Sequence, residues 1–378
     1  MKVGINARIL NTPSTRGWSR YAVNLLKELS GMGVELVLYS DRPLHPFHID
    51  QLDNRFCRVI VSPPIRYLLW EQLWLPRRLC IDHIDVFHSP FNFGLPLKAT
   101  CPLVLTLHDA IDQVFYAPQV PLLQKIRPRS LTSWLHLWTA RTAASRIITV
   151  SEHARQDLIE HLHLPADKIS VIYEAADPRF VPDLNHDECE RVRAKYGLPE
   201  RYIFYLGGWE VRKNVSLLLR AFAAADLANV SLLLAGGRAH EIEQFSRTAE
   251  ELRIRDKTLL LGLVDDADLP ALYKNALCFV YPSQYEGFGL QLCEAMATGC
   301  PVFASCSTAL TEILAEGGER FNPNDPAPLA NLLGRIACEA GYRDRLALRA
   351  RARGQKFSWR RAALQTLEVY RAALAEHQ

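Results

Sequence analysis

The sequence predicts an α/β protein of two domains, each built on a parallel β-sheet. Three observations lead there. Short apolar or β-branched runs alternate with helical periodicities over most of the chain, that alternation breaks once, and 378 residues exceed what one hydrophobic core usually organises. In the first half the strand candidates are 3–7, 35–39, 57–61, 86–88, 103–107, 146–150 and 169–172. In the second half they are 202–206, 230–235, 258–261, 277–281 and 301–304. The break lies at 175–185, where Asp177-Pro178 and Val181-Pro182-Asp183 end all periodicity before a polar helix starts near Asp187. The expected division is an N-terminal domain over 1–178, a C-terminal domain over 179–356 and a closing helix over 357–378. That helix, with Ala363, Leu364, Leu367, Tyr370 and Leu374 as its apolar positions, could pack on either domain, the N-terminal one being the expectation. Ligands bind beyond the carboxyl ends of the strands in open parallel sheets, so two such sheets facing a shared cleft direct attention to the loops that follow strands.

Composition excludes several classes. A net charge of +3 is too small to argue for nucleic acid as a partner. The nine cysteines are scattered, with no C-x-x-C pair and no Cys/His cluster of zinc spacing, which suits a reducing cytosol. Met1-Lys2-Val3-Gly4-Ile5-Asn6 reads as a strand and not as a secretion signal, and no uncharged run of about 20 apolar residues follows. The expected location is cytoplasmic. The N-x-S matches at Asn214 and Asn229 are then chance occurrences.

The strand ending at Tyr281 runs into Pro282-Ser283-Gln284-Tyr285-Glu286-Gly287-Phe288-Gly289-Leu290 and a helix carrying Glu294. Gly287 and Gly289 allow close approach of backbone to a ligand, and the N–H groups of a helix starting near Gly289 form a site for phosphate. Two carboxylates that only accept hydrogen bonds suit a ligand rich in hydroxyls, such as a ribose and a sugar. The same acids are equally explained as a favourable charge at a helix start and an exposed helical acid.

The strand ending at Leu206 runs into Gly207-Gly208-Trp209-Glu210-Val211-Arg212-Lys213-Asn214 and an apolar helix. Paired glycines with adjacent Arg and Lys would hold a diphosphate and neutralise the charge that grows as it departs. Solvated cations at a helix start would oppose its dipole, so the functional reading is favoured. The loop lacks the Walker pattern.

Weaker signals complete the survey. Gly17, in Arg16-Gly17-Trp18-Ser19-Arg20-Tyr21, lies between the first strand and a helix, but G-x-G-x-x-G is absent there and Leu292 stands where a third glycine would follow Gly287 and Gly289. Both absences count against a dinucleotide oxidoreductase. His108-Asp109 follows a strand directly, a position for a neutral histidine in a cleft, although a lone histidine there is more often structural. His88-Ser89-Pro90 reads as a turn. Asp265-Asp266-Ala267-Asp268 reads as an N-cap for a helix over 269–276 and not as a metal site. From Gln113 to Ser151 no acid occurs, while Lys125, Arg127, Arg129, Arg141 and Arg146 are interleaved with Trp134, Leu135, Leu137 and Trp138. This pattern and Ile65 to Trp74 could rest on an anionic membrane surface or equally cover the first sheet.

Together these residues resemble the retaining glycosyltransferases of family four, which have the GT-B fold of two Rossmann-like domains. Glu286-Gly-Phe-Gly-Leu-x3-Glu294-Ala-Met-Ala-x-Gly299-Cys-Pro301-Val is similar to the family's Glu-x7-Glu signature, and Arg212-Lys213-Asn214 to its diphosphate motif. Further similarity lies at Gly17 to Tyr21, His108-Asp109, Val150-Ser151-Glu152, Tyr173 to Asp177 and Phe357-Ser358-Trp359, so the resemblance spans nearly the whole chain. It implies that Glu286 contacts the donor hexose, Glu294 the ribose, and Arg212 and Lys213 the diphosphate. His108 would hydrogen-bond the donor sugar, and Gly17 would abut the phosphates or the acceptor. Phe288, Gly289 and Leu290 would offer backbone N–H groups, and the base would lie by Gly236-Gly237, Leu263 and Val264. Three positions depart from the pattern: Gly208 where many relatives carry Arg, Ser19 where a second glycine is usual, and Glu174-Ala175-Ala176 in place of Asn-Gly.

The implied reaction is transfer of a hexose, with retention and without a metal or cofactor, from UDP-glucose or GDP-mannose to a glycan or lipid-linked glycan. The alternatives are an inert nucleotide-sugar binding protein, a sugar-nucleotide epimerase, and a phosphorylase, for which no pyridoxal lysine site is visible.

Overall fold

The computed structural model describes residues 1–13, 17–53, 55–116, 128–237 and 239–377, with the side chains of all but 128–134, 239 and 240 among them. Every predicted strand forms, with ends shifted by no more than one residue, and a short strand at Glu319–Phe321 joins them. The first seven are β1 (Lys2–Asn6), β2 (Glu35–Ser40), β3 (Cys57–Val61), β4 (Val86–Ser89), β5 (Leu103–Thr106), β6 (Arg146–Thr149) and β7 (Ile169–Val171). They form one parallel sheet in the order β3-β2-β1-β4-β5-β6-β7. The remainder are β8 (Tyr202–Leu206), β9 (Ser231–Ala235), β10 (Thr258–Gly262), β11 (Cys278–Tyr281), β12 (Val302–Ser305) and β13 (Glu319–Phe321). They form a second parallel sheet in the order β10-β9-β8-β11-β12-β13.

Helices cover both faces of such sheets, so their strands read as continuous apolar runs. Tyr202 to Tyr205 and Leu232 to Leu234 are wholly buried. In both sheets the chain turns back beside its first strand, between β1 and β4 and between β8 and β11, and these switch points are where loops diverge to admit a ligand.

The chain divides into two compact units, Ala175–Phe357 and a first unit joining Met1–Glu174 to Ser358–Gln378. The division falls at 174, four residues before the expected 178, because Glu174 is held by His108 of the first unit. The closing helix, Trp359–His377, packs against the helix Gly17–Gly31 and strands β4 to β6 within the first unit. Its buried face is Ala362, Ala363, Thr366, Leu367, Tyr370 and Ala373; Leu364, expected inside, is exposed. A buried polar chain anchors it. Tyr370 Oη meets His88 Nδ1 at 2.7 Å, His88 Nε2 meets Thr106 Oγ1 at 2.7 Å, and Thr106 meets Tyr21 Oη at 3.2 Å. His88, expected where the strand 86–88 passes into a turn, is thus a buried strand residue with both ring nitrogens engaged, and its burial lowers its pKa to about 3. Among the described residues no helix is long and apolar enough to cross a membrane.

Candidate functional site

The richest chemistry lies at the switch point of the second unit, where the loops after β8 and β11 meet. After β8, Gly207 and Gly208 lead to a 3₁₀ turn, Val211–Lys213, and Asn214 in the left-handed region starts the helix Val215–Ala225. Arg212 and Lys213 therefore precede the helix instead of opening it. After β11, the loop carries Glu286 and the buried Phe288 to Gly289, whose φ of +98° precedes the helix Leu290–Ala297. A Cβ on Gly289 would lie 2.7 Å from Leu310 Cδ2, so this turn needs glycine on both conformational and steric grounds. The Gln284 N–H donates to the Arg212 carbonyl at 2.7 Å and locks the two loops together.

Glu286 is the centre of this junction. Its Oε1 accepts Lys213 Nζ at 2.6 Å and lies 3.0 Å from Arg212 Nη1. Lys213 also donates to Tyr281 Oη at 3.2 Å, and Tyr281 donates to Gln291 Oε1 at 3.0 Å. Arg212 further donates to the Tyr285 carbonyl at 3.2 Å, and the Glu286 N–H to Thr308 Oγ1 at 3.0 Å. Burial alone would raise the Glu286 pKa, but the two cations outweigh it and hold the carboxyl below its ordinary range. Burial, with Arg212 alongside, lowers the Lys213 pKa against the pull of Glu286. One carboxylate thus pairs with two buried or half-buried cations in a loop junction and leaves the trio with a net positive charge. A phosphate would find the same cations already converged.

Glu294 is buried to 1 % exposure, which rules out the reading of it as an exposed helical acid; Tyr273 Oη donates to its Oε2 at 3.0 Å. Glu286, at 7 %, is likewise no solvated helix-start charge. Sequence reasoning missed Tyr273, Tyr281 and Gln291. Gln291 and Glu294 are the polar residues of their otherwise apolar helix except for its end, and their i, i+3 spacing puts them on one side, a signal that was available.

The remaining predicted positions surround the junction unevenly. Leu290 is the first residue of its helix. Gly208 offers its carbonyl to Tyr205 Oη at 2.5 Å, which ties the loop to β8. Gly236 and Gly237 follow β9 with φ of +101° and +82°, and a Cβ on Gly236 would overlap the Gly207 carbonyl. The Gly236 N–H donates to Gly262 O at 2.6 Å and brings the loop after β9 beside Leu263 and Val264, with Leu263 strongly exposed. Trp209, unnoticed in the sequence, is buried against Gly237 and Phe245, and its indole N–H has no partner among the described residues.

In the first unit, Gly17 is exposed and opens the helix Gly17–Gly31, while Arg16 lies outside the described residues. His108 was read as a neutral histidine in a cleft, or more often a structural one, and both its nitrogens are engaged: Nε2 with the Pro90 carbonyl at 3.1 Å and Nδ1 with Glu174 Oε1 at 3.0 Å. A carbonyl only accepts, so it is the Nε2–H that donates to Pro90. Trp18 stacks on the ring at 6.0 Å and Tyr21 meets it edge-on at 4.7 Å.

One other expectation is corrected. Asp268 occupies an N-cap position but makes no cap hydrogen bond; its buried carboxylate instead accepts Arg191 and Lys195 at 2.6 Å each and Tyr196 Oη at 2.9 Å. It ties the helix His186–Tyr196 to Leu269–Asn275. In the basic segment, Lys125 and Arg127 lie outside the described residues, and the side chains of Arg129 and Trp134 are not among those described. Arg141 donates to the Leu162 carbonyl and Arg146 pairs with Glu376, so these two cations brace the first unit.

With this geometry in hand, comparison with known proteins is informative. The family model described as glycosyl transferases group 1 matches residues 189–353, and that described as glycosyltransferase family 4 matches 15–180. The O-antigen chain mannosyltransferase B of Escherichia coli is 33 % identical over 306 residues, covering 80 % of this chain and 77 % of that one. The serotype-specific mannosyltransferase WbdA of Escherichia coli is 29 % identical over 75 % of this chain, which spans only 35 % of its length. Among solved structures, the Anabaena protein HepE in complex with UDP and glucose superposes with a TM-score of 0.77 at 18 % identity, covering 97 % of this chain and 98 % of that one, a likeness of fold.

Proposed function

The chain belongs to glycosyltransferase family 4, the group 1 glycosyl transferases, and from that membership we propose that it moves a mannosyl residue from GDP-mannose to a growing glycan. Mannose is put ahead of the glucose of UDP-glucose because of the 33 % identity to a mannosyltransferase. The observation that carries the site is the Glu286 carboxylate holding Lys213 and Arg212 together at the switch point of the second unit.

In this reading the donor diphosphate takes over the two cations and the first turn after Gly289, where Phe288, Gly289 and Leu290 offer backbone N–H groups. Glu286, released from the cations, accepts hydroxyls of the hexose. Glu294, oriented by Tyr273, accepts those of the ribose. The bond from the anomeric carbon to the diphosphate oxygen breaks and one to the acceptor oxygen forms on the same face. The acceptor proton passes to the departing phosphate, the nearest base on that face. Lys213 and Arg212 stabilise the charge that develops there, so the reaction needs no metal and no cofactor.

The acceptor is a glycan or lipid-linked glycan of polysaccharide synthesis, and the enzyme works in the cytoplasm, with peripheral contact at the inner face of a membrane. Nucleic acid is no partner. Thermal unfolding with GDP-mannose, UDP-glucose and their diphosphates tests the donor, since a ligand that binds the folded state raises the transition by mass action. GDP-mannose should give the largest rise, undiminished by EDTA, and an α-mannosyl product should keep the donor configuration by NMR. No stabilisation by either donor would overturn the assignment.

A further inference from the structure

The helical stretch Tyr67 to Ile81 carries apolar residues on its exposed side as well as on its buried one. It runs as α-helical turns Tyr67–Leu69 and Leu75–Ile81 on either side of a π-helical turn, Trp70–Trp74. One side is core: Trp70, Glu71, Leu75 and Leu79 are fully buried. The other side leaves Leu68 at 42 %, Leu69 at 44 %, Leu73 at 54 % and Ile81 at 63 % exposed, with Ile65 exposed just before it. Single exposed aliphatics are ordinary, whereas a run of five along one stretch marks a surface that meets something apolar.

Within the stretch the charges are nearly all basic, while just beyond it Asp82 holds Arg78 at 2.7 Å and lies 4.0 Å from Arg58. Between Arg58 and Ile81 the cations are Arg58, Arg66, Arg77 and Arg78, and the single acid, Glu71, is buried beneath Tyr67 and Gln72. Arg66, Leu69, Leu73, Arg77 and Ile81 recur at intervals of three and four, so the two exposed arginines flank the leucines on the outer side. The Leu97 N–H donates to Gln72 Oε1 at 2.8 Å and adds the exposed Leu97 and Lys98 to the same border. On the other flank, β3 is the edge strand of its sheet and exposes Arg58, Val59 and Val61.

We propose that this surface, and not the 113–151 segment, is where the enzyme lies on an anionic lipid bilayer. The leucines and Ile81 enter the acyl boundary, and Arg66, Arg77 and Lys98 reach lipid phosphates from the rim. A helix with aliphatics inserted and arginines at the interface is what such a surface retains. A second copy of this chain would bring these arginines close to their symmetry mates with no exposed acid in the stretch to pair them, so charge favours the bilayer over self-association. The biological use of this contact rests on the proposed lipid-linked acceptor, but the contact itself is tested without donor or acceptor.

The experiment is flotation of the full chain with unilamellar vesicles of phosphatidylglycerol and phosphatidylethanolamine, against vesicles of phosphatidylcholine alone. The wild type should float with the anionic vesicles and be released by salt. Replacing Arg66 and Arg77 by Glu should lower the partition coefficient by roughly tenfold or more, since each basic residue near the surface contributes about 1 kcal/mol. The variant Leu69→Gln/Leu73→Gln/Ile81→Gln should also detach, while its nucleotide-induced thermal shift, read in the same samples, stays that of the wild type. Flotation of this variant equal to the wild type, or no flotation of the wild type, overturns the proposal. A wild-type dimer in size-exclusion chromatography that the variant converts to monomer, with vesicles ignored by both, assigns the surface to self-association and overturns it too. A missing nucleotide shift in both proteins refutes the donor assignment without touching the lipid result.

Discussion

Replacing Glu286 by Gln should tighten binding of the nucleoside diphosphate product while slowing transfer. In the unliganded protein Glu286 lies 2.6 Å from Lys213 Nζ and 3.0 Å from Arg212 Nη1. A phosphate oxygen bonded to the same nitrogens sits about two hydrogen-bond lengths away, some 5 to 6 Å from the carboxylate. At an effective dielectric constant of about 20, unit charges at that distance repel by about 3 kcal/mol. Screening by solvent and relaxation of Lys213 remove part of this, which leaves about tenfold tighter binding of GDP in the variant. Turnover moves the other way, by roughly tenfold or more, because the amide no longer gives the hexose a charged acceptor in the transition state. Titration calorimetry with GDP and steady-state transfer of labelled mannose read the two effects separately. Unchanged or weaker GDP binding with unchanged turnover would show that the diphosphate does not meet these cations, and the site assignment would fall with it.

Three other perturbations have definite signs. Lys213→Ala should cut turnover by roughly one to three orders of magnitude, by loss of leaving-group stabilisation, in a protein whose far-ultraviolet circular dichroism is unchanged. Gly289→Ala combines a φ of +98° with a 2.7 Å approach to Leu310, and should lower stability by roughly 2 kcal/mol or more, read as the urea midpoint at constant m-value. Burial, reinforced by His108, holds the His88 pKa at about 3 against 6.5 in the unfolded chain. The unfolded chain therefore takes up a proton that the folded one excludes, so this contribution to stability is complete above pH 6.5 and is lost as the pH falls towards 3. The slope from this residue alone is at most about 1.4 kcal/mol per pH unit, and unfolding free energies from urea titrations of His88→Gln between pH 4 and 7 should vary less steeply with pH than those of the wild type by up to that amount.

The fold was legible because strands buried on both faces must be apolar throughout, and Ile203 to Tyr205 or Leu232 to Leu234 have no other reading once helices alternate with them. Strand β13 was not, because Glu319 is only partly covered, Arg320 is exposed, and three residues carry no period. The site was legible as two loops and illegible as one junction. Lys213 and Glu286 are 73 residues apart, and no local rule pairs them; what does is the order of strands in the sheet, which puts β11 beside β8 although β9 and β10 intervene in the chain. The pairing of His108 with Glu174, 66 residues apart, escaped notice for the same reason, although a structural role for the histidine had been weighed. Glu294 is different, since its burial could have been inferred. Leu290, Leu292, Cys293, Ala295 and Met296 leave that helix no solvent side, and a carboxylate within it must be paid for by a partner such as Tyr273 or by the ligand it serves. An acid inside an apolar helix that follows a glycine turn is therefore stronger testimony to a hydroxyl-bearing ligand than the spacing of the two glutamates, because spacing alone is satisfied equally well by two residues in water.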